Sequence, residues 1–120
     1  VDFWFRFLPE DDLHNVIAAT DVLVYPYRNI TQSGALFAGM NAGKAIVGTK
    51  VGGFTEVLDD GRTGFLVDFG DRDQMADRLA HLLKDSESRK RLGREAQMEI
   101  DRLYSWDKIA HRTLQCYAEL

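Results

Sequence analysis

Short runs of apolar residues alternate along the chain with stretches in which apolar residues recur every three or four positions. Three runs have the length and composition of buried strands, namely Val22–Tyr25, Ala45–Val47 and Phe65–Val67. A strand covered on both faces is apolar at nearly every position, so these runs indicate a parallel sheet between helical layers. Val1–Phe7 alternates apolar and polar residues, apart from Trp4, and predicts a further, less buried strand.

Helical patterns separate these runs. A first helix is predicted after Pro9, where three acidic residues suit the positive end of a helix dipole. A small-residue helix is predicted from the loop at Ser33 through about Ala42, and a short one over Phe54–Leu58. From Asp71 onward the chain is charged and helical, with further helices expected at Ser86 or Ser88 and after Ser105.

Strands that alternate with helices favour parallel pairing through right-handed crossovers. We therefore predict an α/β fold, a three-layer Rossmann-like parallel sheet of about four strands with C-terminal helices. Ligands of such sheets bind beyond the carboxyl ends of the strands. In this sequence those ends are residues 26–33, 48–53 and 68–71.

Composition limits the classes of function. A chain of 120 residues suits one domain with its own core, and a net charge of −4 argues against nucleic-acid binding. Lone Cys116 forms no disulfide within the chain, which suits a reducing, cytoplasmic location. No apolar run approaches the roughly 18 residues needed to cross a bilayer. Val1 opens directly in strand-like sequence, which predicts that the chain is part of a longer protein.

The most informative loop precedes the small-residue helix. Thr31, Gln32, Ser33 and Gly34 stand where a strand-end loop turns into a helix, and the first amides of a helix lack intrahelical partners. One interpretation is an anion or phosphate site, with Gly34 allowing close approach to the backbone. The other is a helix capped by Ser33 with nothing bound, and this stretch alone does not separate the two.

A second loop, after the third predicted strand, carries paired glycines. Gly52 and Gly53 permit close approach of a ligand, with Glu56 three residues further on. A tight turn before a short helix explains the same residues, and without further context we favour the turn.

Two other patterns imitate known sites. Asp71 and Asp73 have the Asp-x-Asp spacing of metal-dependent glycosyltransferases, but Asp71 stands at a helix start, where it is expected to act as a cap. Gly39 to Lys44 suggests a phosphate-binding P-loop, yet the spacing is one residue short and the stretch ends a helix instead of opening one. No metal site is predicted.

Taken together, the stretches resemble the donor-binding C-terminal domain of group 1 (family 4) glycosyltransferases of the GT-B fold. The shared pattern is a Pro-initiated loop, a small-residue helix ending Ala-Gly-Lys, Thr-x-x-Gly-Gly-x-x-Glu over 49–56 and Asp-Gly-x-Thr-Gly-x-Leu-Val over 60–67. Ser105 and Trp106 match the Ser-Trp pair that opens the family's last helix. The resemblance covers essentially the whole chain.

Two positions depart from the family pattern. Family members commonly carry two glutamates eight positions apart, one for the donor sugar and one for the ribose, and these positions are Ile30 and Ala38 here. The chain resembles a branch whose loop reads Thr-Gln-Ser-Gly. That resemblance implies a diphosphate contact through the backbone of Ser33, Gly34 and Ala35, with Gln32 or Thr31 offered to the sugar.

The resemblance implies a retaining, metal-independent glycosyltransferase that uses a nucleotide-diphospho-sugar and needs no cofactor. It places the acceptor-binding domain N-terminal to these residues, so we expect residues 1–120 alone to be inactive and to hold no catalytic residue. The expected donor-binding residues are Thr31, Gln32, Ser33, Gly34, Ala35, Gly52, Gly53 and Glu56. The alternative, motivated by Ile30 and Ala38, is a degenerate binding or assembly module of the same fold.

The family's donor domain has about six strands, of which this chain holds the last four. In the usual 3-2-1-4-5-6 order, Val1–Phe7 is strand three and two missing strands separate it from Val22–Tyr25. An exposed sheet edge then predicts self-association. The other implied partners are the donor and the acceptor domain, in polysaccharide or glycolipid biosynthesis, with the inner membrane surface as a further location for the full-length protein.

Overall fold

The computed structural model describes all 120 residues, which form three strands and six helices. The elements in chain order are α1 (Glu10–Ala19), β1 (Val22–Tyr25), α2 (Gly34–Asn41), β2 (Ala45–Thr49), α3 (Phe54–Val57), β3 (Phe65–Val67), α4 (Arg72–Lys84), α5 (Ser86–Tyr104) and α6 (Trp106–Ala118). The α/β class and the three apolar strands are confirmed, but only β2 and β3 are buried throughout, whereas Val24 of β1 is 38% exposed. No helix combines the length and apolar character that crossing a membrane requires.

The sheet is parallel, in the order β1-β2-β3, with Val24 opposite Val47 and Val47 opposite Phe65. Because β2 is central, all five of its residues are buried. Each connection between strands carries one helix, as parallel pairing requires. All three strands therefore end at the same edge, which brings the loops after Tyr25, Thr49 and Val67 together.

The predicted fourth strand is wrong. Residues 1–9 form no helix or strand, and Phe3, Phe5 and Phe7 are 71%, 95% and 89% exposed. A strand persists only where a neighbour completes its hydrogen-bond ladder, and residues 1–9 pair with none of the three strands. The outer edge of β1 also carries no strand. Self-association through that edge stays a prediction.

Side chains alternate between two cores on the two faces of the sheet. Ile46 and Leu66 pack on one face with residues of α2, α3 and α5, whereas Val47 and Val67 pack on the other with Leu82 of α4. This alternation is the period-two geometry of a strand, and it gives the predicted three layers.

Helix α5 passes close to the turn that precedes β2. A Cβ on Gly93 would lie 2.0 Å from the carbonyl oxygen of Gly43, so glycine allows this approach. Gly43 itself has a φ of 65°, directly after the C-cap Ala42, as expected for the residue that ends a helix. Helix α6 has no buried residue, and Trp106 is largely exposed.

Candidate functional site

The N-terminus of α2 lies at the edge where the three strands end. Ser33 is its N-cap, with extended backbone, and its Oγ accepts a hydrogen bond from the amide of Leu36 at 3.2 Å. The predicted Ser33 cap is therefore confirmed. The cap leaves two other backbone donors at this helix end free. The amides of Gly34 and Ala35 have no intramolecular acceptor, and both residues are exposed. Two free donors and the positive end of the helix dipole suit an anion.

The space around Gly34 is open. A Cβ placed on this glycine would have no atom within 4 Å, and its φ does not lie in the left-handed region. Neither packing nor backbone conformation thus requires glycine here. The absence of a side chain leaves the Gly34 and Ala35 amides accessible to a ligand.

The second glycine loop packs against the first. A Cβ on Gly52 would lie 1.6 Å from the carbonyl oxygen of Ile30, and one on Gly53 would lie 2.2 Å from that of Thr31. Gly52 also has a φ of 48°. The group that approaches these two glycines is therefore the backbone of the first loop. The structure thus brings the two predicted stretches together. The close contact between the two loops by itself explains why both positions are glycine.

Hydrogen bonds and aromatic packing fix the start of the first loop. The Oγ1 of buried Thr49, the last residue of β2, donates to the carbonyl of Tyr27 at 2.6 Å. The ring of Phe54 lies 6.0 Å from that of Tyr25 and 5.6 Å from that of Tyr27. The loop between β1 and α2 consequently rests on the end of β2 and on α3, the helix of the connection that follows.

The remaining predicted residues lie around this helix end without joining one cluster. Thr31 and Gly52 line a shallow depression with Asn29 and Ile30. Gln32 and Glu56 are exposed, and the side chain of neither makes a hydrogen bond or ion pair within the chain. Gln32 directly precedes the Ser33 cap, so its free amide group stands next to the helix end.

The two family glutamate positions hold no polar side chain. Ile30 is partly buried and packs against the core that contains Leu36 and Phe54, and Ala38 is partly buried on α2. No neighbouring carboxylate occupies the depression, whose other lining residues are Asn29, Thr31 and Gly52. Polar contacts within this depression therefore come from backbone groups and from the side chains of Asn29 and Thr31.

A second cavity, of about 310 Å³, opens at the same edge on the α4 side and is largely apolar. Its lining includes Pro26, Thr49, Phe69, Met75 and Leu79. Sequence reasoning placed the third strand end here but predicted no cavity. The sequence feature that could have indicated this cavity is Phe69, an apolar residue in an otherwise polar turn.

Two cations flank this edge. The Arg28 guanidinium lies 5.9 Å from the centre of the Phe69 ring, and Lys50 Nζ lies 3.5 Å from an oxygen of Asp68. Sequence reasoning named neither, although both follow predicted strand ends. The charge of Lys50 is balanced by Asp68, whereas Arg28 has no ion pair and adds positive charge to the loop that leads to the α2 N-terminus.

No three His, Cys, Asp or Glu side chains lie close enough together to hold a metal ion. Asp71 accepts a hydrogen bond from the amide of Gln74 at 2.9 Å, so the cap interpretation of the Asp-x-Asp pair is confirmed. Its partner Asp73 lies within the first turn of α4. An acidic residue there interacts favourably with the helix dipole.

A sequence profile described as "Glycosyl transferases group 1" matches residues 3–99. A D-inositol 3-phosphate glycosyltransferase of Corynebacterium efficiens is 35% identical over 99% of this chain, which spans 28% of that protein's length. Spore coat protein SA of Bacillus subtilis is 34% identical over 68% of this chain and 22% of its own length.

Solved structures show the same fold. HepE of Anabaena, in complex with UDP, superposes with a TM-score of 0.82 at 21% identity, over 88% of this chain and 29% of HepE. The C-terminal domain of LpcC, a group 1 family protein from Francisella tularensis, superposes with a TM-score of 0.76 at 22% identity, over 88% of this chain and 53% of that domain's chain. The parallel sheet is thus the arrangement found in glycosyltransferases.

Proposed function

This chain belongs to the group 1 glycosyltransferases, and we propose that it binds the diphosphate of a nucleotide-sugar donor within a retaining, metal-independent enzyme. The observation that carries the proposal is the pair of exposed, unbonded amides of Gly34 and Ala35 at the α2 N-terminus. In this proposal, the residues that bind the acceptor belong to other parts of a longer protein. The chain spans only 28% of the length of the Corynebacterium efficiens glycosyltransferase.

These amides suit the chemistry of sugar transfer. When the bond between the anomeric carbon and the diphosphate breaks, its electron pair leaves with the diphosphate oxygen and negative charge grows there. Fixed amides and a helix dipole stabilise that charge without reorganising during the reaction. An acceptor hydroxyl forms the new glycosidic bond on the same face of the sugar, and its proton passes to the departing diphosphate oxygen. No metal is needed to neutralise the leaving group in this scheme.

Side chains beside the amides supply the contacts to the sugar. Gln32 and Thr31 are exposed next to the helix end, and Gln32 offers both a donor and an acceptor. The structural neighbour HepE supports a nucleotide-sugar ligand, because it has been solved with UDP-glucose. A sulfoquinovosyl transferase of Arabidopsis thaliana, 31% identical over 82% of this chain, is a further relative that is named as a transferase.

Titration calorimetry with UDP and UDP-glucose tests the proposal on the wild-type protein and on Gly34→Val. A Cβ at Gly34 meets no atom within 4 Å, so we expect valine to fit there and to cover the free amides without disturbing the core. Ser86→Val is the matched control, because Ser86 is the first residue of α5, is exposed and lies near the opposite end of β2. Binding that is lost only in Gly34→Val supports the proposal.

The second candidate function is a degenerate binding or assembly module, favoured by Ile30 and Ala38 at the glutamate positions. This candidate is preferred if the full-length protein binds no nucleotide-sugar in a panel of uridine, guanosine and adenosine diphosphate sugars.

Metal independence is tested separately by transfer assays with and without EDTA. A loss of transfer that Mg²⁺ or Mn²⁺ restores would contradict it.

A further inference from the structure

The buried hydroxyl of Tyr25 reaches across to the first turn of α2. Tyr25 ends β1, is 9% exposed, and its Oη donates to the carbonyl of Ala35 at 2.7 Å. This is the only hydrogen bond from a side chain outside α2 to that turn, because the Ser33 cap belongs to the helix itself. The bond therefore ties the free end of α2 to the sheet.

Gly39 makes room for this contact. A Cβ on Gly39 would lie 2.9 Å from the Tyr25 Oη and 2.6 Å from the Leu23 Cδ1, so a side chain there would displace the hydroxyl. The ring itself is held by Phe54, at 6.0 Å in an edge-on arrangement, and by Tyr27, at 6.1 Å. Packing thus restricts the direction in which the hydroxyl points.

Ala35 connects this anchor to the binding site. Its carbonyl accepts from Tyr25, and its amide is one of the two free donors at the helix end. Rotation of the first turn about the helix axis would move both groups together. A fixed Ala35 carbonyl consequently fixes the direction of the amides that we propose for the diphosphate.

We infer that Tyr25 is a positioning residue for the diphosphate, acting through its hydrogen bond to Ala35. The inference rests on the proposed donor site and adds a residue that touches no ligand. Preorganised donors stabilise charge more effectively than donors that must first be oriented, so the hydroxyl is expected to contribute to diphosphate affinity.

The test compares Tyr25→Phe with Tyr27→Phe in the full-length protein. Both changes remove a single hydroxyl from neighbouring, stacked rings, but that of Tyr27 makes no hydrogen bond. We expect Tyr25→Phe to weaken UDP binding about three- to tenfold, the size expected for one hydrogen bond, and to weaken UMP binding less. Tyr27→Phe should leave both affinities unchanged.

Two readouts separate positioning from general stability. Partial unfolding lowers the apparent affinity for UDP and UMP by the same factor, so a change in their ratio reports the geometry of the diphosphate site. Amide hydrogen exchange without ligand is the second readout, and Tyr25→Phe should accelerate exchange over residues 34–38.

An unchanged UDP-to-UMP ratio in a well-folded Tyr25→Phe protein would overturn the inference while leaving the proposed function intact. If the wild-type protein binds neither UDP nor UMP, the guanosine and adenosine diphosphate and monophosphate pairs are measured in the same way. If it binds none of the three pairs, the proposed function fails, and the exchange experiment then decides on the anchor alone. An unchanged rate of amide hydrogen exchange over residues 34–38 in Tyr25→Phe would refute the role of Tyr25 as an anchor of α2.

Discussion

The amide of Gly53 donates to the carbonyl of Thr31 at 3.1 Å, and this bond joins the loop after β2 to the loop after β1. The two backbones are so close that a Cβ on Gly53 would lie 2.2 Å from the same oxygen. Gly53 is buried, whereas Thr31 is exposed beside the α2 N-terminus. The second loop therefore supports the position of the first.

Gly53→Ala is expected to destabilise the fold by about 1–3 kcal/mol, because the added methyl group must push the Thr31 backbone away. The same displacement should weaken binding of UDP. Urea unfolding and calorimetry measure the two effects. Gly34→Ala is the control for stability, since its Cβ meets open space, and its free energy of unfolding should change by no more than about 0.5 kcal/mol. Equal stability of the two variants would contradict the loop contact.

The sequence was sufficient to predict the parallel sheet, because Phe65–Val67 is apolar at every position and is buried throughout, as a doubly covered strand requires. Val22–Tyr25 is equally apolar, but it lies at the sheet edge and Val24 is 38% exposed, so the same pattern overestimated its burial. Val1–Phe7 shows the limit of the same reasoning. Its alternating pattern predicts a strand with one apolar face. A strand also needs a neighbouring strand to complete its hydrogen bonds, and the pattern does not show whether such a neighbour is present.

The site was predicted in part. The Ser33 cap and the exposed Gly34 follow from local sequence, because capping involves residues that are neighbours in the chain. The Tyr25 hydroxyl joins Ala35 ten residues later only after β1 and α2 have packed together. Gly52 and Gly53 were predicted at a strand end, as a tight turn or for the approach of a ligand, but their contact with the backbone of the first loop depends on the fold of two separate connections.

Gly93→Ala should destabilise the protein although alanine is the better helix former. In an exposed helix interior the change would stabilise by up to about 1 kcal/mol. Here the new Cβ would lie 2.0 Å from the Gly43 carbonyl oxygen, so α5 must move away from the turn before β2. We expect a loss of about 1–3 kcal/mol in urea unfolding. Arg94→Ala, at the neighbouring exposed position, is the control, and a Gly93→Ala protein at least as stable as the wild type would refute the contact.

Acid should weaken the protein partly through Glu99. Hydrogen bonding from Arg102, and then the charge of Arg62, lower the pKa of Glu99 below its ordinary value of 4.5. The folded state thus binds fewer protons than the unfolded state near pH 4.5, and stability rises with pH across that range. The stabilising contribution is present above pH 4.5 and disappears as pH falls through the lower folded-state pKa.

Glu99→Gln should therefore unfold more easily than the wild type at pH 7, with the difference shrinking below pH 4.5. Chemical unfolding at a series of pH values measures this, and Glu119→Gln, which removes an exposed carboxylate without an ion pair, is the control. A difference between the wild type and Glu99→Gln that stays constant from pH 7 to pH 3 would show that the Arg62 and Arg102 contacts are not formed in solution.

Alkaline titration should identify Tyr25 by its burial. Burial, and then the proximity of Tyr27, raise the pKa of Tyr25 from 10.0 to about 12. The folded state keeps the phenolic proton that the unfolded state loses, so the associated stability is fully present below pH 10 and is lost as pH rises towards 12. In absorbance titrations at 295 nm, Tyr25→Phe should remove the component with a midpoint near pH 12. If Tyr25→Phe instead removes a component near pH 10, the hydroxyl is accessible to solvent and its bond to Ala35 is absent.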